Sequence, residues 1–278
     1  MKARVALLTG VGILLLVGAG VAWNLSDTGI PPDSVVEQAE PNLPIPPLPP
    51  RLADGAQYDR CLAQVPDDPQ RAAAEARAWR DSGAGAPALH CLAMAELALG
   101  NTELAARLLQ GLATEAAASA PVRAAMHSQA SQAWLMAGRV DDALIAARAA
   151  VGVVSDNPDL WIELARVALV RKDYAVAVDD LTRALALDRN RADILVLRAA
   201  AHRLRGALDA ALGDVDRAID ADPDNAEALL ERGVLRQRRD DPDGARRDWM
   251  RVVAIAPESQ AADLATQDLE LLDAGPSR

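Results

Sequence analysis

The residues of this chain that could carry chemistry are two cysteines, three histidines and many carboxylates, and their spacing decides what each could do. Cys61 and Cys91 can close a disulfide or stand as two reduced, buried apolar fillers. With His90 beside Cys91 they offer at most three nearby metal ligands, without the spacing of a zinc site. No haem-attachment motif is present. His90, His127 and His202 fall on different segments and share no pattern with a carboxylate or a nucleophile. Ser119 and Ser128 lack the context of a nucleophile elbow, and Gly-rich phosphate loops are missing. Asp179, Asp180, Asp214, Asp216, Asp220 and Asp222 recur along helix surfaces and linkers, where solvation and helix capping account for them without acid–base work. The expectation from these residues is no catalytic constellation, no metal site and no cofactor.

The elements that carry these residues repeat. Ala143, Ala177, Ala211 and Ala245 stand 34 residues apart, each opening the second half of a unit that reads as two short amphipathic helices. Ala165, Ala199 and Gly233 fall in the same register in the first helix, and Ala150, Ala184, Ala218 and Val252 near the end of the second. Small residues at fixed points let two helices approach closely, and a unit this short cannot bury its apolar face alone, so neighbours must stack. The expected fold is an all-α helical solenoid. The composition agrees: 51% hydrophobic residues, only 3% aromatic and no Phe suit close helix packing better than a β-rich core. A formal net charge of −11 argues against nucleic acid and against an anionic membrane surface, since both require a basic face. A protein or peptide is the expected partner.

The stretch 158–257 carries the pattern most fully. Trp161, Leu164 and Ala165 mark the first helix and Ala177, Leu181 and Ala184 the second. The linker Asp222-Pro223-Asp224-Asn225 precedes Ala226-Glu227-Ala228-Leu229-Leu230, and Ala256-Pro257 closes that pair. These residues resemble the tetratricopeptide repeat family, whose unit is a helix-turn-helix of this length. The departures are Arg198 and Arg232 at a usually apolar position, Ala168, His202 and Arg236 in place of a large aromatic, and Arg189 where proline is common.

The resemblance implies an α-solenoid of tetratricopeptide-type helix-turn-helix repeats whose first helices line a concave face. Its rows would be Ser128, Ile162, Val196, Leu230; Gln129, Glu163, Leu197, Glu231; Gln132, Arg166, Ala200, Val234; and Leu135, Leu169, Arg203, Gln237. The polar candidates for holding a partner are Gln129, Gln132, Glu163, Arg166, Arg203, Gln237 and Arg238 on an aliphatic floor, with packing against the next unit as the competing role of the same positions. Ser128, Gln132 and Glu163 stand where the family's carboxylate clamp wants Lys, Asn and Asn, which excludes that clamp. Arg232, Arg236, Arg238, Arg239, Arg246, Arg247 and Arg251 crowd the last unit, but Asp240, Asp241, Asp243 and Asp248 interleave with them and imply an internally paired surface.

Domain organisation follows from composition. Lys2 and Arg4 precede an uncharged, largely apolar run over residues 5–23, long enough for a helix to cross a ~30 Å hydrocarbon core with the N-terminus inside. Segment 1–26 reads as a membrane anchor or, with Gly20-Val21-Ala22 as a cleavage site, a signal peptide; its length and Trp23 favour the anchor. Either reading places the repeats in the periplasm of a bacterium. Segment 27–52 holds eight prolines and is expected to be a disordered polyproline spacer. Irregular helical pairs are expected over 53–123, regular repeats over 124–257, and a capping helix and tail over 258–278. The spacing of 38 residues from Gly100 to Gly138 predicts a longer second helix reaching about Ala118, broken by Ala120-Pro121. Export makes the Cys61–Cys91 disulfide the natural pairing, and closing such a loop stabilises a fold by roughly 3–4 kcal/mol. A non-enzymatic envelope scaffold is therefore expected, with a cryptic envelope hydrolase or a purely structural subunit of an envelope complex as alternatives.

Overall fold

In the computed structural model, residues 52–115 and 118–274 are described. The expectations of an apolar N-terminal helix over 1–26 and a disordered spacer over 27–52 fall outside the described residues, apart from Leu52. Six antiparallel helix pairs follow one another: α1 (Ala56–Gln64) with α2 (Pro69–Trp79), α3 (Ala86–Ala98) with α4 (Thr102–Ala113), α5 (Ala120–Met136) with α6 (Val140–Val153), α7 (Pro158–Val170) with α8 (Tyr174–Leu187), α9 (Ala192–Leu204) with α10 (Leu208–Ala221), and α11 (Ala226–Arg238) with α12 (Pro242–Ile255). A single helix, α13 (Gln260–Ala274), ends the array. Each first helix packs on its own second helix and on that of the preceding pair, so the chain is one all-α solenoid.

The turn inside five of the six units is the same structure. Gly100, Gly138, Lys172, Gly206 and Asp240 all have positive φ. The N–H of the following residue then reaches back over the helix end: Arg139 to Trp134 O at 2.8 Å, Asp173 to Ala168 O at 2.8 Å, Ala207 to His202 O at 2.8 Å and Asp241 to Arg236 O at 2.9 Å. This is a Schellman termination, which glycine favours because it lacks a Cβ, and which Lys172 and Asp240 adopt at φ 64° and 61°. Helix starts are equally local. The side chains of Asp68, Asn225 and Asp241 cap the N–H groups of Arg71, Ala228 and Gly244.

The small columns make the core. Ala143, Ala177, Ala211 and Ala245 are all 0% exposed, as are Ala165 and Ala199. Trp249 shares the column of Leu181 and Val215 and is also fully buried. It fits because residue 233 is glycine: a Cβ there would lie 2.2 Å from the indole Nε1.

Two expectations about the irregular unit are corrected. The second helix is not longer, since α4 ends at Ala113; the additional residues lie in the connection after it and in α5, which has 17 residues. Ala120-Pro121 does not break a helix but starts one, four residues ahead of the expected Ala124. Proline is harmless in a first turn, where its missing N–H has no intrahelical acceptor.

Both ends of the solenoid are closed. On α13, Asp263, Thr266, Gln267 and Glu270 occupy the columns of Trp161, Leu164, Ala165 and Ala168, and they carry polar groups where these α7 residues are apolar. Ala261, Ala262, Leu264 and Ala265 on its other face bury against Leu229, Leu230 and Trp249. At the N-terminal end the Cys61–Cys91 disulfide joins α1 to α3 across a Cα–Cα distance of 6.2 Å. No helix among the described residues is long and apolar enough to cross a membrane.

Candidate partner-binding face

Successive first helices approach one another more closely than successive second helices do: α5 meets α7, α9 meets α11, and α11 meets α13. The first-helix layer is therefore the inner side of the curve, and its side chains compete for less room. That crowding decides the fate of the expected binding residues.

Glu163 and Arg203, which the repeat pattern assigns to a partner, are instead buried, at 4% and 1% exposure. Glu163 of α7 accepts from the Ser131 hydroxyl at 3.3 Å and from Gln132 Nε2 at 3.4 Å, both on α5. Desolvation pushes its carboxyl pKa up, against the opposing pull of Arg166 and of these two hydrogen bonds. Arg203 of α9 grips Glu231 of α11 through two hydrogen bonds of 2.6 and 3.2 Å. A charge held between tightly spaced helices must find its counter-charge there, because an unpaired ion costs several kcal/mol away from water.

Gln129 is half-buried and also works internally: its Oε1 lies 2.9 Å from His90 Nε2, while His90 Nδ1 lies 2.6 Å from the Tyr58 hydroxyl. Burial holds His90 below the ordinary histidine range, so the neutral ring donates to Gln129 and accepts from Tyr58. A polar ladder thus runs along the inner layer: Tyr58–His90–Gln129, then Ser131 and Gln132 to Glu163, then Arg203 to Glu231. Asp268 of α13 extends it. This residue is 6% exposed, its Oδ2 has no hydrogen-bond partner among the described residues, and burial pushes its carboxyl up to about 6 despite the nearby Arg203. Sequence reasoning misses Asp268. The available signal is its place one unit beyond Val234, on an inner row of the terminal helix.

What remains open on the inner layer is a mixed stripe. Arg166 is exposed and makes no hydrogen bond or ion pair with any described residue. One turn further along α7, Val170 is 51% exposed. Met136 and Leu204, at the same register position in α5 and α9, are half-buried, as are Val196 and Leu197 nearer the start of α9. Gln132, Gln237 and Arg238 are half-buried at its margins.

The departures from the repeat pattern have partners on the other side of the first helices. Arg198 holds Asp214 with hydrogen bonds of 2.8 and 2.7 Å, and Arg232 holds Asp248 with bonds of 3.0 and 2.8 Å. Each aspartate lies 16 residues after its arginine, in the second helix of the same unit. Arg236, replacing an aromatic, also reaches Asp248 at 2.7 Å. Asp180 is the third member of that column, but Leu164 stands where its arginine would be, and its Oδ2 is left without a partner among the described residues. Most arginines of the last unit are internally paired, including Arg239 with Asp209, Arg246 with Asp273 and Arg251 with Asp224. No group of three potential metal ligands converges among the described residues. His127 and His202 are held below the usual histidine range by burial and stand on separate helices, α5 and α9.

Fold and inner face together define an all-α repeat solenoid, capped at its C-terminus and stapled at its N-terminus. The chain belongs to the tetratricopeptide repeat family, whose profile, described as Tetratricopeptide repeat, matches residues 92–159, 162–226 and 209–261. Among solved structures it is similar to MamA from Desulfovibrio magneticus RS-1, at 19% identity over 63% of this chain and 97% of that one, with a TM-score of 0.54. It is also similar to a thermophilic TPR protein of Thermus thermophilus, at 17% identity over 68% and 99% of the two chains, with a TM-score of 0.54. YrrB, described as a TPR protein with an unusual peptide-binding site, aligns at 19% identity over 70% and 96%, with a TM-score of 0.50. At these identities the likeness shows the fold alone. No curated protein matches the chain.

Proposed function

We propose that this protein is a non-enzymatic scaffold that holds a peptide or helix of a partner protein along its inner face, with residues 1–26 anchoring or exporting it into a bacterial envelope. One observation carries the reading: an inner layer whose polar residues are largely consumed by internal pairs still leaves Val170 open one turn from an exposed Arg166, with Met136 and Leu204 half-buried at the same register position of α5 and α9. Aliphatic surface of this kind gains free energy by being covered, at roughly 25 cal/mol per Å², and a linear row fits an extended or helical ligand better than a compact one. The described peptide-binding site of YrrB is consistent with that use of the fold. The Cys61–Cys91 disulfide supports an oxidising compartment, as does the apolar run at residues 5–23.

The experiment is site-specific photocrosslinking in intact cells, with the reactive side chain placed at position 170 and, separately, at the outward-facing position 145. A partner protein trapped from position 170 alone is the expected result. Crosslinks that form only from position 145 would remove the inner face from the account. The intact mass of the mature protein then distinguishes a retained anchor from a cleaved signal.

A further inference from the structure

We propose that the inner face selects an acidic partner segment, seating a side-chain carboxylate on Arg166 and the aliphatic or aromatic neighbours of that carboxylate on Val170, Met136 and Leu204. This rests on the inner-face reading above and names the chemistry of its occupant.

The argument is one of an exposed charge without a direct hydrogen-bonded partner. Glu163, Arg203 and Glu231 are buried in internal contacts, and the exposed Asp159 and Asp193 share Arg191, with hydrogen bonds from that guanidinium to both. Arg198, Arg232, Arg236 and Arg239 each hold an aspartate. Arg166 is different. Glu163, three residues earlier, interacts with it electrostatically but is buried and bonded to Ser131 and Gln132. In a chain of net charge −11, Arg166 is exposed one turn from Val170 and makes no direct hydrogen bond to Glu163, whose oxygens are taken by those two residues.

Its setting raises the value of supplying a direct partner. A guanidinium forks onto a carboxylate through two parallel N–H···O bonds. Covering the flanking Val170, Met136 and Leu204 would exclude water and strengthen that pair. Positions i and i+4 on a helix stand ~6 Å apart. This spacing matches side chains two residues apart on one side of an extended ligand, or one turn apart on a helical one. The recognised element is therefore an Asp or Glu followed, at i+2 in an extended segment or one turn later in a helix, by a large apolar residue. A basic segment would meet Arg166 with like charge.

The test uses the full chain with its disulfide intact and a displayed library of random dodecapeptides. Enriched peptides are synthesised with a fluorophore, each alongside a version with its acidic residue changed to the amide, and titrated by anisotropy against wild type, Arg166→Gln and Val170→Asp. Circular dichroism checks that each variant is folded, which exposed positions permit. The expected result is enrichment of acid-plus-apolar peptides, about tenfold weaker binding of the amide version to wild type, and less than a roughly twofold difference on Arg166→Gln. Peptides that lose binding on Val170→Asp yet ignore both the amide change and Arg166→Gln would overturn the acidic selectivity and leave the inner-face reading standing. Peptides indifferent to both variants, or a library with no enrichment, would overturn both.

Discussion

Gly233 of α11 and Trp249 of α12 occupy one shared volume: a Cβ on residue 233 would fall 2.2 Å from the indole Nε1, and the indole is fully buried. In the two preceding units the same pair of positions is filled by Ala165 with Leu181 and by Ala199 with Val215. The unit thus trades volume between its helices, which makes the two positions energetically inseparable.

Gly233→Ala should destabilise the protein by about 1–3 kcal/mol through overpacking, although alanine is the better helix former. Trp249→Leu alone should cost about 3 kcal/mol by opening a cavity and removing the hydrogen bond of 3.3 Å to Leu230 O. The double variant restores the Ala–Leu arrangement of the α7–α8 unit and should lose less than the sum of the singles. Urea unfolding of all four proteins reads the coupling directly, and strict additivity would refute the shared volume.

Glu231→Gln should cost about 3–5 kcal/mol, because it removes the carboxylate charge that the Arg203 guanidinium holds at 0% side-chain exposure. The protein itself supplies apolar substitutes: leucine stands at the Arg203 position in Leu135 and Leu169, and at the Glu231 position in Leu197. The double variant Arg203→Leu/Glu231→Leu should therefore recover most of the loss, as measured by urea midpoint.

Acidity should act through Asp268, whose folded carboxyl lies at about 6 against an ordinary 3.8. Since the folded value is the higher one, the neutral form is favoured by folding. That contribution is complete below about pH 4 and is lost as the pH rises through 6, an effect on the order of 2 kcal/mol. Arg203 from α9 and Glu231 from α11 face the group and oppose each other in sign. Asp268→Asn should remove this part of the pH dependence and stabilise the protein at about pH 7.5. Hydrogen exchange in α13 should slow accordingly, and an unchanged slope between about pH 4 and 7 in that variant would exclude Asp268 as the source.

Lys172 and Asp240 hold a left-handed backbone that glycine holds at the three equivalent turns. Lys172→Gly and Asp240→Gly should each stabilise by roughly 0.5–1 kcal/mol, and Gly206→Ala should destabilise by about 1 kcal/mol. Thermal unfolding of the three variants checks the signs, which must be opposite.

The inner polar ladder was legible only in part. Glu163 and Glu231 share a column two units apart, and Gln129 heads it, so a recurring inner position could be read directly. Whether that position met solvent or a neighbour could not, because the answer depends on the distance between successive first helices. The 16-residue spacing from Arg198 to Asp214 and from Arg232 to Asp248 was also present to be read. An arginine in an apolar column signalled a departure, and its partner lay one helix further along.

The sequence by itself determined the repeating pair of helices, the turn inside each regular unit and the closing helix. These follow from short-range rules: small residues where helices touch, glycine or an equivalent at a left-handed turn, and too little apolar surface in one unit to stand alone. Tertiary structure alone decided that Glu163 and Arg203 are buried while Arg166 and Val170 are open. Curvature sets the spacing of the first helices, and it accumulates over many contacts between units, so no single repeat encodes which inner side chains are left for a partner.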